Sequence, residues 1–254
     1  MGLEFVKQLL SRTKGRILAC VLRPGSSPAL DSYLNGLERD DRNRVCVRGL
    51  DVTDVGQIEA LAEEIEKSYD ARIDGLFNVA GVLGTKSTPG PEMNLKAVDQ
   101  KWTEDQMAVN AIGPMMVTAK FAPLLKARKG RSTYLRTSGS KESIVVNLSA
   151  RVASMSDNTG GLAWYTYRMS KAALNAGVRA SSHELRRQGT WTIALYPGMT
   201  DTDMSKPFQS KMMKEKGLVF PVEFSVGRLL DVVERMEEEN SGGLYDWAGQ
   251  SIPF

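Results

Sequence analysis

The sequence predicts a single α/β domain built on a parallel sheet with helices on both faces. Three observations point there. Short apolar runs alternate with amphipathic helical stretches, each run ends in a turn or loop, and neither linker nor internal repeat divides the 254 residues.

Residues 3–12 (LEFVKQLLSR) place Leu3, Val6, Leu9 and Leu10 on one side of a helix. RILACVL (16–22) is an apolar run closed by Arg23, Pro24 and Gly25, the pattern of a buried strand. RVCVRGLDV (44–52) is a second strand, and 55–69 an amphipathic helix. IDGLFNVAG (73–81) is a strand that runs into a turn, and 83–101 is a polar loop with glycine and proline. Thr103, Glu104, Asp105 and Gln106 fit a capping box that opens a helix to about Leu125. A strand over 143–150, a helix over 165–187, a strand over 190–198 and a helix over 225–237 follow. Gly242, Gly243, Leu244 and Tyr245 begin a last short strand. The basic stretch 126–141 (KARKGRSTYLRTSGSK) carries no acid and reads as a solvated insertion, with an anion- or partner-binding loop as the alternative.

Hydrophobic residues make up 42% and charged residues 25%, so the chain is globular and long enough to bury a substantial core. A net charge of +3 gives no argument for nucleic-acid binding. Cys20 and Cys46 lie in apolar runs and read as buried strand residues, reduced thiols rather than a disulfide. With His183 the lone histidine, no metal site is expected. The N-terminus lacks a signal-peptide pattern, Val6 stands where a myristoylation signal wants Ser or Thr, and no apolar stretch is read as a membrane span. The expectation is a soluble, cytoplasmic protein without nucleic-acid or membrane partners, with homo-oligomerisation left open.

The strongest chemical signal is Tyr167 with Lys171. On a helix they share a face one turn apart. A tyrosine near pKa 10 is a poor acid or base at neutral pH, and an adjacent ammonium lowers that value toward a useful range. The pair opens a helix that follows a strand ending in Asn147, Leu148 and Ser149, and the next strand ends in Pro197 and Gly198. Asp51 and Val52, and Asn78 to Gly81, also stand at strand ends, where open α/β sheets bind ligands. Pro114 lies four residues after Asn110 in one helix and cannot donate to its carbonyl, so a bend is expected there.

With these residues in place, the chain resembles the short-chain dehydrogenase/reductase family, in particular its sniffer/C-factor-like carbonyl reductases. The matching pieces are GLEFVKQLL, LDVTD, NVAG, VNAIGP, VNLSARVAS, DNTGG, YRMSKAALN, YPGMTDTDM and SGGLYDW, in order from residue 2 to the end. The resemblance implies a Rossmann-type doubly wound sheet and one dinucleotide-binding, catalytic domain over 1–254. It implies that Tyr167 protonates a carbonyl oxygen while a nicotinamide cofactor delivers hydride, and that Lys171 lowers the Tyr167 pKa and holds the nicotinamide ribose. Asp51 and Val52 would contact adenine, Asn78, Ala80 and Gly81 would shape the cofactor floor, and Pro197, Gly198 and Thr202 would border the nicotinamide. The Asn110 carbonyl would hold a water that relays protons to Lys171. Arg23 follows the second strand's apolar run, where dinucleotide folds place an acid for NAD or an arginine for the 2′-phosphate of NADP, so NADP(H) is the expected cofactor.

Two departures from the family pattern matter. Its usual serine is Ala150 here, which leaves Ser149 as the best remaining hydroxyl and Ser154 as a poorer one. Neighbours on a strand face opposite ways, so Ser149 serves only if the strand has already broken. The family's first strand and Thr-Gly-x-x-x-Gly-x-Gly turn are also absent, with Gly2 matching the last glycine. The chain is therefore read as N-terminally incomplete, through a gene-model artefact or alternative start, against a selected loss. RILACVL and GLFNVAG would then be left with unpaired edges.

The reading is NADPH-dependent reduction of a small or medium carbonyl compound. The alternative is a non-catalytic dinucleotide- or partner-binding relative without turnover. A sugar-nucleotide epimerase also uses a Tyr/Lys pair, but only 56 residues follow Gly198, short for its substrate domain. The segments Ser205–Phe220 and Asp157–Trp164 are expected to cover the pocket.

Overall fold

The structure, a computed structural model, describes residues 1–68, 72–84, 91–126 and 142–254. The basic stretch singled out above therefore lies, from residue 127 onward, outside the described residues.

In chain order the elements are α1 (Gly2–Arg12), β1 (Ile17–Val21), α2 (Pro28–Asn35), α3 (Arg39–Asn43), β2 (Val45–Gly49), α4 (Val55–Ser68) and β3 (Gly75–Asn78). Then come α5 (Gln100–Met107), a π-helical turn (Ala108–Ile112), α6 (Gly113–Phe121), β4 (Ser143–Leu148), α7 (Tyr165–Leu185) and β5 (Thr190–Tyr196). The chain closes with α8 (Lys211–Glu215), α9 (Val222–Arg235), β6 (Leu244–Asp246) and β7 (Ser251–Ile252).

Among the described residues the strands form two sheets, β1-β2 and β3-β4-β5-β6-β7, parallel throughout except for the antiparallel β6/β7 pair. This matches the expected unpaired edges, since β1 and β3 do not pair with each other. Helices join the two sheets. On one face α1 turns Phe5 into the core of β4, β5 and α9, and turns Val6 and Leu10 onto Ala19 and Val45 of the two-stranded sheet. On the other face, Ile58, Leu61 and Ile65 of α4 meet Val117 and Phe121 of α6, with Leu18 of β1 and Leu76 of β3 against them. β4 is buried along its whole length, whereas β1 and β3 are mostly half-buried, because each has a strand on one side only. The same open edge explains Cys20, which is exposed rather than buried as expected; Cys46 is half-buried and both thiols are free.

β4 and β5 decide where chemistry can occur. Ile144, Val146 and Leu148, with Trp191, Ile193 and Leu195, face α9 and build the main core. The alternate residues face the α7 side, where a polar chain runs through the packing. Asn78 donates to Asn147 at 2.8 Å, Asn147 to Thr192 at 3.4 Å, and Ser149 to Asn175 of α7 at 2.7 Å. These groups are buried or half-buried, and the bonds they form offset the cost of removing them from water; Asn175 Nδ2 alone in this polar chain is left without a partner.

Two local expectations are corrected. The helix assigned to start at the Thr103 capping box starts at Gln100, because the Asp99 carboxylate accepts the Trp102 amide at 2.7 Å. Thr103 lies inside that first turn, its hydroxyl donating to the Asp99 carbonyl at 2.7 Å. The helical run Gln100–Leu125, for which no membrane span was read, is long and apolar enough to cross a membrane, with mean hydropathy 1.3. Half of that window is buried inside the fold, the packing of a core helix.

Candidate active site

The C-terminal ends of the strands bring most of the expected residues to one edge. α7 carries Tyr167 and Lys171 on the face toward the sheet, with Lys171 only 4% exposed. The Lys171 ammonium donates to the carbonyl of Leu148, the last residue of β4, at 2.8 Å. Burial lowers the Lys171 pKa to about 8. Burial also raises the Tyr167 phenol above its ordinary value, and the nearby Tyr196 phenol adds to that rise. The sequence had Lys171 lowering the Tyr167 pKa; here desolvation dominates, so the phenol keeps its proton.

The bend expected near Asn110 is the π-helical turn Ala108–Ile112, closed by the Gly113 amide on the Ala108 carbonyl. Pro114 lacks the N–H that an α-helix would give to Asn110, so the register shifts there. What sequence reasoning missed is the Asn110 side chain. It is fully buried, accepts the Val82 amide and donates to the Val82 carbonyl, both at 2.8 Å, and donates to Ser170 Oγ at 3.0 Å. Asn110 thus ties the loop after β3 to α7 between Tyr167 and Lys171.

Gly81 lies against the same group. A Cβ there would stand 3.2 Å from Asn110 Oδ1 and 3.4 Å from Lys171 Nζ. With no Cβ at Gly81, the backbone lies close against the Asn110 amide and the Lys171 ammonium, an approach a larger residue would crowd. Ala80 is exposed next to it. Gly198, after Pro197, has φ +77, and a Cβ would come within 2.7 Å of the Phe220 ring, so only glycine fits that turn. Thr202, further along the same loop, donates its amide to Ser205 Oγ at 3.1 Å.

At the other end of the edge, Arg23 is exposed just after β1. Asp51 accepts the Thr53 hydroxyl at 2.6 Å and the Thr53 amide at 2.9 Å, which hold its carboxyl below the usual range, with Arg23 as a smaller cause. Val52 packs so closely on Gly113 that a Cβ on residue 113 would meet the Val52 carbonyl at 2.8 Å. The donor set suits a nicotinamide dinucleotide at two ends: the Lys171 ammonium beside Gly81, and the exposed Arg23 near the Asp51/Val52 turn. Between them, α1 begins without a side-chain cap on its first amides.

Ser149 stands just past the end of β4 at Leu148. Its amide still donates to the Leu195 carbonyl at 2.8 Å, so pairing with β5 continues past β4. Its hydroxyl is buried on Asn175 rather than free at the edge. Ala150 follows in extended conformation, φ −148 and ψ 147, and Ser154 is turned to the Pro253 carbonyl. Tyr196, not singled out in the sequence, supplies another phenol beside Tyr167; burial raises its pKa, opposed by Arg151.

The expected cover is partly in place. The Trp164 ring meets Tyr167 edge-on at 6.2 Å and Phe208 at 5.0 Å, so one aromatic contact joins the segment before α7 to the segment after β5. A separate hollow of about 240 Å³, with Ile193, Arg228 and Tyr245 in its wall, lies on the α9 side of the sheet, away from Tyr167.

Residues 1–213 match the family profile described as short chain dehydrogenase. C-signal of Myxococcus xanthus is 35% identical over 182 residues, covering 72% of this chain and 93% of its own. An uncharacterized oxidoreductase of Schizosaccharomyces pombe is 28% identical across 100% of this chain and 94% of its own. Among solved structures, NADPH-bound carbonyl reductase from chicken fatty liver superposes with a TM-score of 0.82 at 25% identity, covering 100% of this chain and 94% of that one. Carbonyl reductase Sniffer of D. melanogaster also superposes at 0.82, with 23% identity and the same coverage, a likeness of fold. The ordered strand-end residues, the Tyr167/Lys171 helix and these matches together place the chain in the short chain dehydrogenase family, as an oxidoreductase of that type.

Proposed function

We propose that this chain reduces a small or medium carbonyl compound with NADPH, with Tyr167 as the proton donor. The observation that carries the reading is the buried pair Lys171 and Asn110 beside Gly81 at the strand-end edge, with the half-buried Tyr167 one helical turn from Lys171. Reduction leaves negative charge on the carbonyl oxygen, which is far more basic than a phenolate. A phenol kept neutral by burial is therefore a competent donor in the reducing direction. The reverse reaction needs phenolate, which the same burial disfavours near neutral pH.

The bound nicotinamide cofactor would supply the hydride. Lys171 would hold its ribose from the sheet edge, and its lowered pKa lets it exchange a proton near neutral pH. Asn110 fixes the loop at Val82 and, through Ser170, the helix. Asn78, Ala80 and Gly81 would form the floor, Pro197, Gly198 and Thr202 the nicotinamide border, and Asp51 and Val52 the adenine contacts. Arg23, exposed after β1, favours the 2′-phosphate of NADP(H). Polarisation of the substrate carbonyl then falls on Tyr167, because Ser149 is committed to Asn175. Two free thiols suit a reducing, cytosolic setting.

The alternative, a dinucleotide- or partner-binding relative without turnover, is favoured by the split between β1 and β3 and by Ala150. Tryptophan fluorescence separates the two, since Trp164 stands against Tyr167. NADPH-selective quenching followed by NADPH oxidation with aldehydes, ketones or quinones supports the reductase. Binding with no oxidation across that panel supports the alternative, and no binding of either nucleotide removes the reductase and leaves the partner-binding form of the alternative.

A further inference from the structure

α7 starts without a cap of its own. Its N-cap residue, Trp164, sits in the left-handed region at φ 47 and ψ 44, and its side chain accepts none of the first amides. It is the one non-glycine residue with positive φ among the described residues. A bulky residue pays a steric penalty there unless its surroundings hold it.

The surroundings that hold it come from Glu92, far upstream in the sequence. The Glu92 carbonyl accepts the Trp164 amide at 2.8 Å. The Glu92 carboxylate accepts the Thr166 amide on Oε2 at 3.3 Å and the Thr166 hydroxyl on Oε1. Gln106 of α5 then donates to Thr166 Oγ1 at 2.8 Å. The whole set is out of solvent: Glu92 is 2% exposed, and Thr166 and Gln106 are 0% exposed. Among the described residues the carboxylate has no cationic partner, so its negative charge is met by the amide end of α7 and by the Thr166 hydroxyl. A carboxylate buried in this way is costly unless it does what a cap does.

The cap lies next to the reacting group. Thr166 immediately precedes Tyr167, and Gln106 is four residues before Asn110, on the same helical face. The loop after β3 is therefore anchored to this site at both described ends, at Val82 by Asn110 and at Glu92 by α7. Trp164, whose ring covers Tyr167, is fixed in its unusual conformation by the same residue.

We propose that Glu92 is a positioning residue, a buried cap supplied from outside α7 that sets the first turn of that helix and hence the place of the Tyr167 phenol. This rests on the reading of Tyr167 as proton donor. Glu92 is closed off from solvent and acts through Thr166 and Trp164.

The test uses the full chain and the variants Glu92→Ala and Glu92→Gln. Amide hydrogen exchange is read for Thr166 to Arg168 against Val178 to Leu185 of the same helix, alongside kcat and KM for a carbonyl substrate and Kd for NADPH. Glu92→Ala is expected to speed first-turn exchange at least tenfold, with the second half of α7 unchanged. It should lower kcat at least tenfold while KM and the NADPH Kd stay within about twofold. Glu92→Gln keeps one acceptor oxygen and should fall between wild type and Glu92→Ala on both readouts, and it carries the comparison if the alanine variant does not fold. First-turn exchange equal to wild type in a folded variant overturns the proposal, as does an equal loosening of all of α7. If the wild-type chain reduces no carbonyl, the functional reading fails, while the exchange measurement still decides whether Glu92 holds the helix.

Discussion

Lys171 donates its ammonium to the backbone carbonyl of Leu148, 2.8 Å away, at the end of the interior strand β4. That bond keeps the charge at the sheet edge but does not repay its burial, since the pKa falls from 10.5 to about 8. The folded chain therefore binds fewer protons than the unfolded one between those values, and stability rises with pH through that window. At 1.36 kcal/mol per pKa unit the cost of the charged form is about 3 kcal/mol below pH 8. Lys171→Met should be more stable than wild type at pH 7 by about 2 kcal/mol, once the lost bond to Leu148 is allowed for. The advantage should shrink as pH approaches 10. Urea unfolding from pH 7 to 9.5 measures it, and a difference that does not change with pH would show that the ammonium is not desolvated. The variant should have no turnover.

Tyr167→Phe removes one hydroxyl from a site where burial keeps that group neutral. The ring contacts with Trp164 remain possible, so folding should change by less than about 1 kcal/mol. Turnover should fall by about a thousandfold, within the range for loss of a positioned acid. NADPH binding by fluorescence should stay within about twofold. Activity within tenfold of wild type would move the proton donor elsewhere, with Tyr196 the first place to look.

How far the sequence could be read follows from the kind of signal each residue leaves. The alternation of strands and helices is written in apolar periodicity, and the strand-end residues follow from it, so Tyr167, Lys171, Asn110 and Gly81 meet as expected. Glu92 and Ser170 leave no local mark, because their partners lie 74 and 60 residues away and only the fold brings them together. The Asp99 cap was overlooked because Thr103 offers a similar pattern, and both are caps by composition. The two-sheet arrangement was legible as two apolar runs without a strand between them; the exposure of Cys20 was not, since periodicity cannot report an open edge.

Gly113→Ala tests the packing of the π-helical turn on the adenine end. The new Cβ would sit 2.8 Å from the Val52 carbonyl, 3.0 Å from Val52 Cγ2 and 3.1 Å from the Ala108 carbonyl, two of them rigid backbone atoms. Relief requires moving either the helix or the turn after β2. A loss of about 2 to 3 kcal/mol is expected, as for overpacking elsewhere. Thermal unfolding reads the loss, and weaker NADPH binding should accompany it. An unchanged Tm would mean that the turn and Val52 are not in this contact.

Arg23→Ala addresses cofactor choice. Arg23 is exposed, so its removal should not alter folding. A charge-assisted contact to a phosphate is worth about 1.5 to 3 kcal/mol when formed, and exposure places this one at the low end. NADPH should bind about tenfold more weakly and NADH unchanged, as read by parallel fluorescence titrations. Equal weakening of both nucleotides, or of neither, would detach Arg23 from the 2′-phosphate.

Ser149 and Ala150 separate a packing hydroxyl from a missing catalytic one. Ser149 Oγ donates to Asn175 Oδ1 at 2.7 Å, and Asn175 Nδ2 is already buried without a partner. Ser149→Ala would strip the second half of that amide and should cost about 1 to 2 kcal/mol of stability, read as a lower Tm, with kcat within about twofold. Ala150 is 6% exposed and extended, a backbone that serine adopts without strain. If Tyr167 alone polarises the carbonyl, a hydroxyl added by Ala150→Ser should raise kcat about tenfold at little cost in stability, below the roughly hundred- to thousandfold of a preorganised oxyanion donor. The two substitutions thus move different observables, Tm for residue 149 and kcat for residue 150. The opposite result, a collapse of kcat in Ser149→Ala with Tm intact, would return the substrate hydroxyl to Ser149 and require its bond to Asn175 to open during turnover.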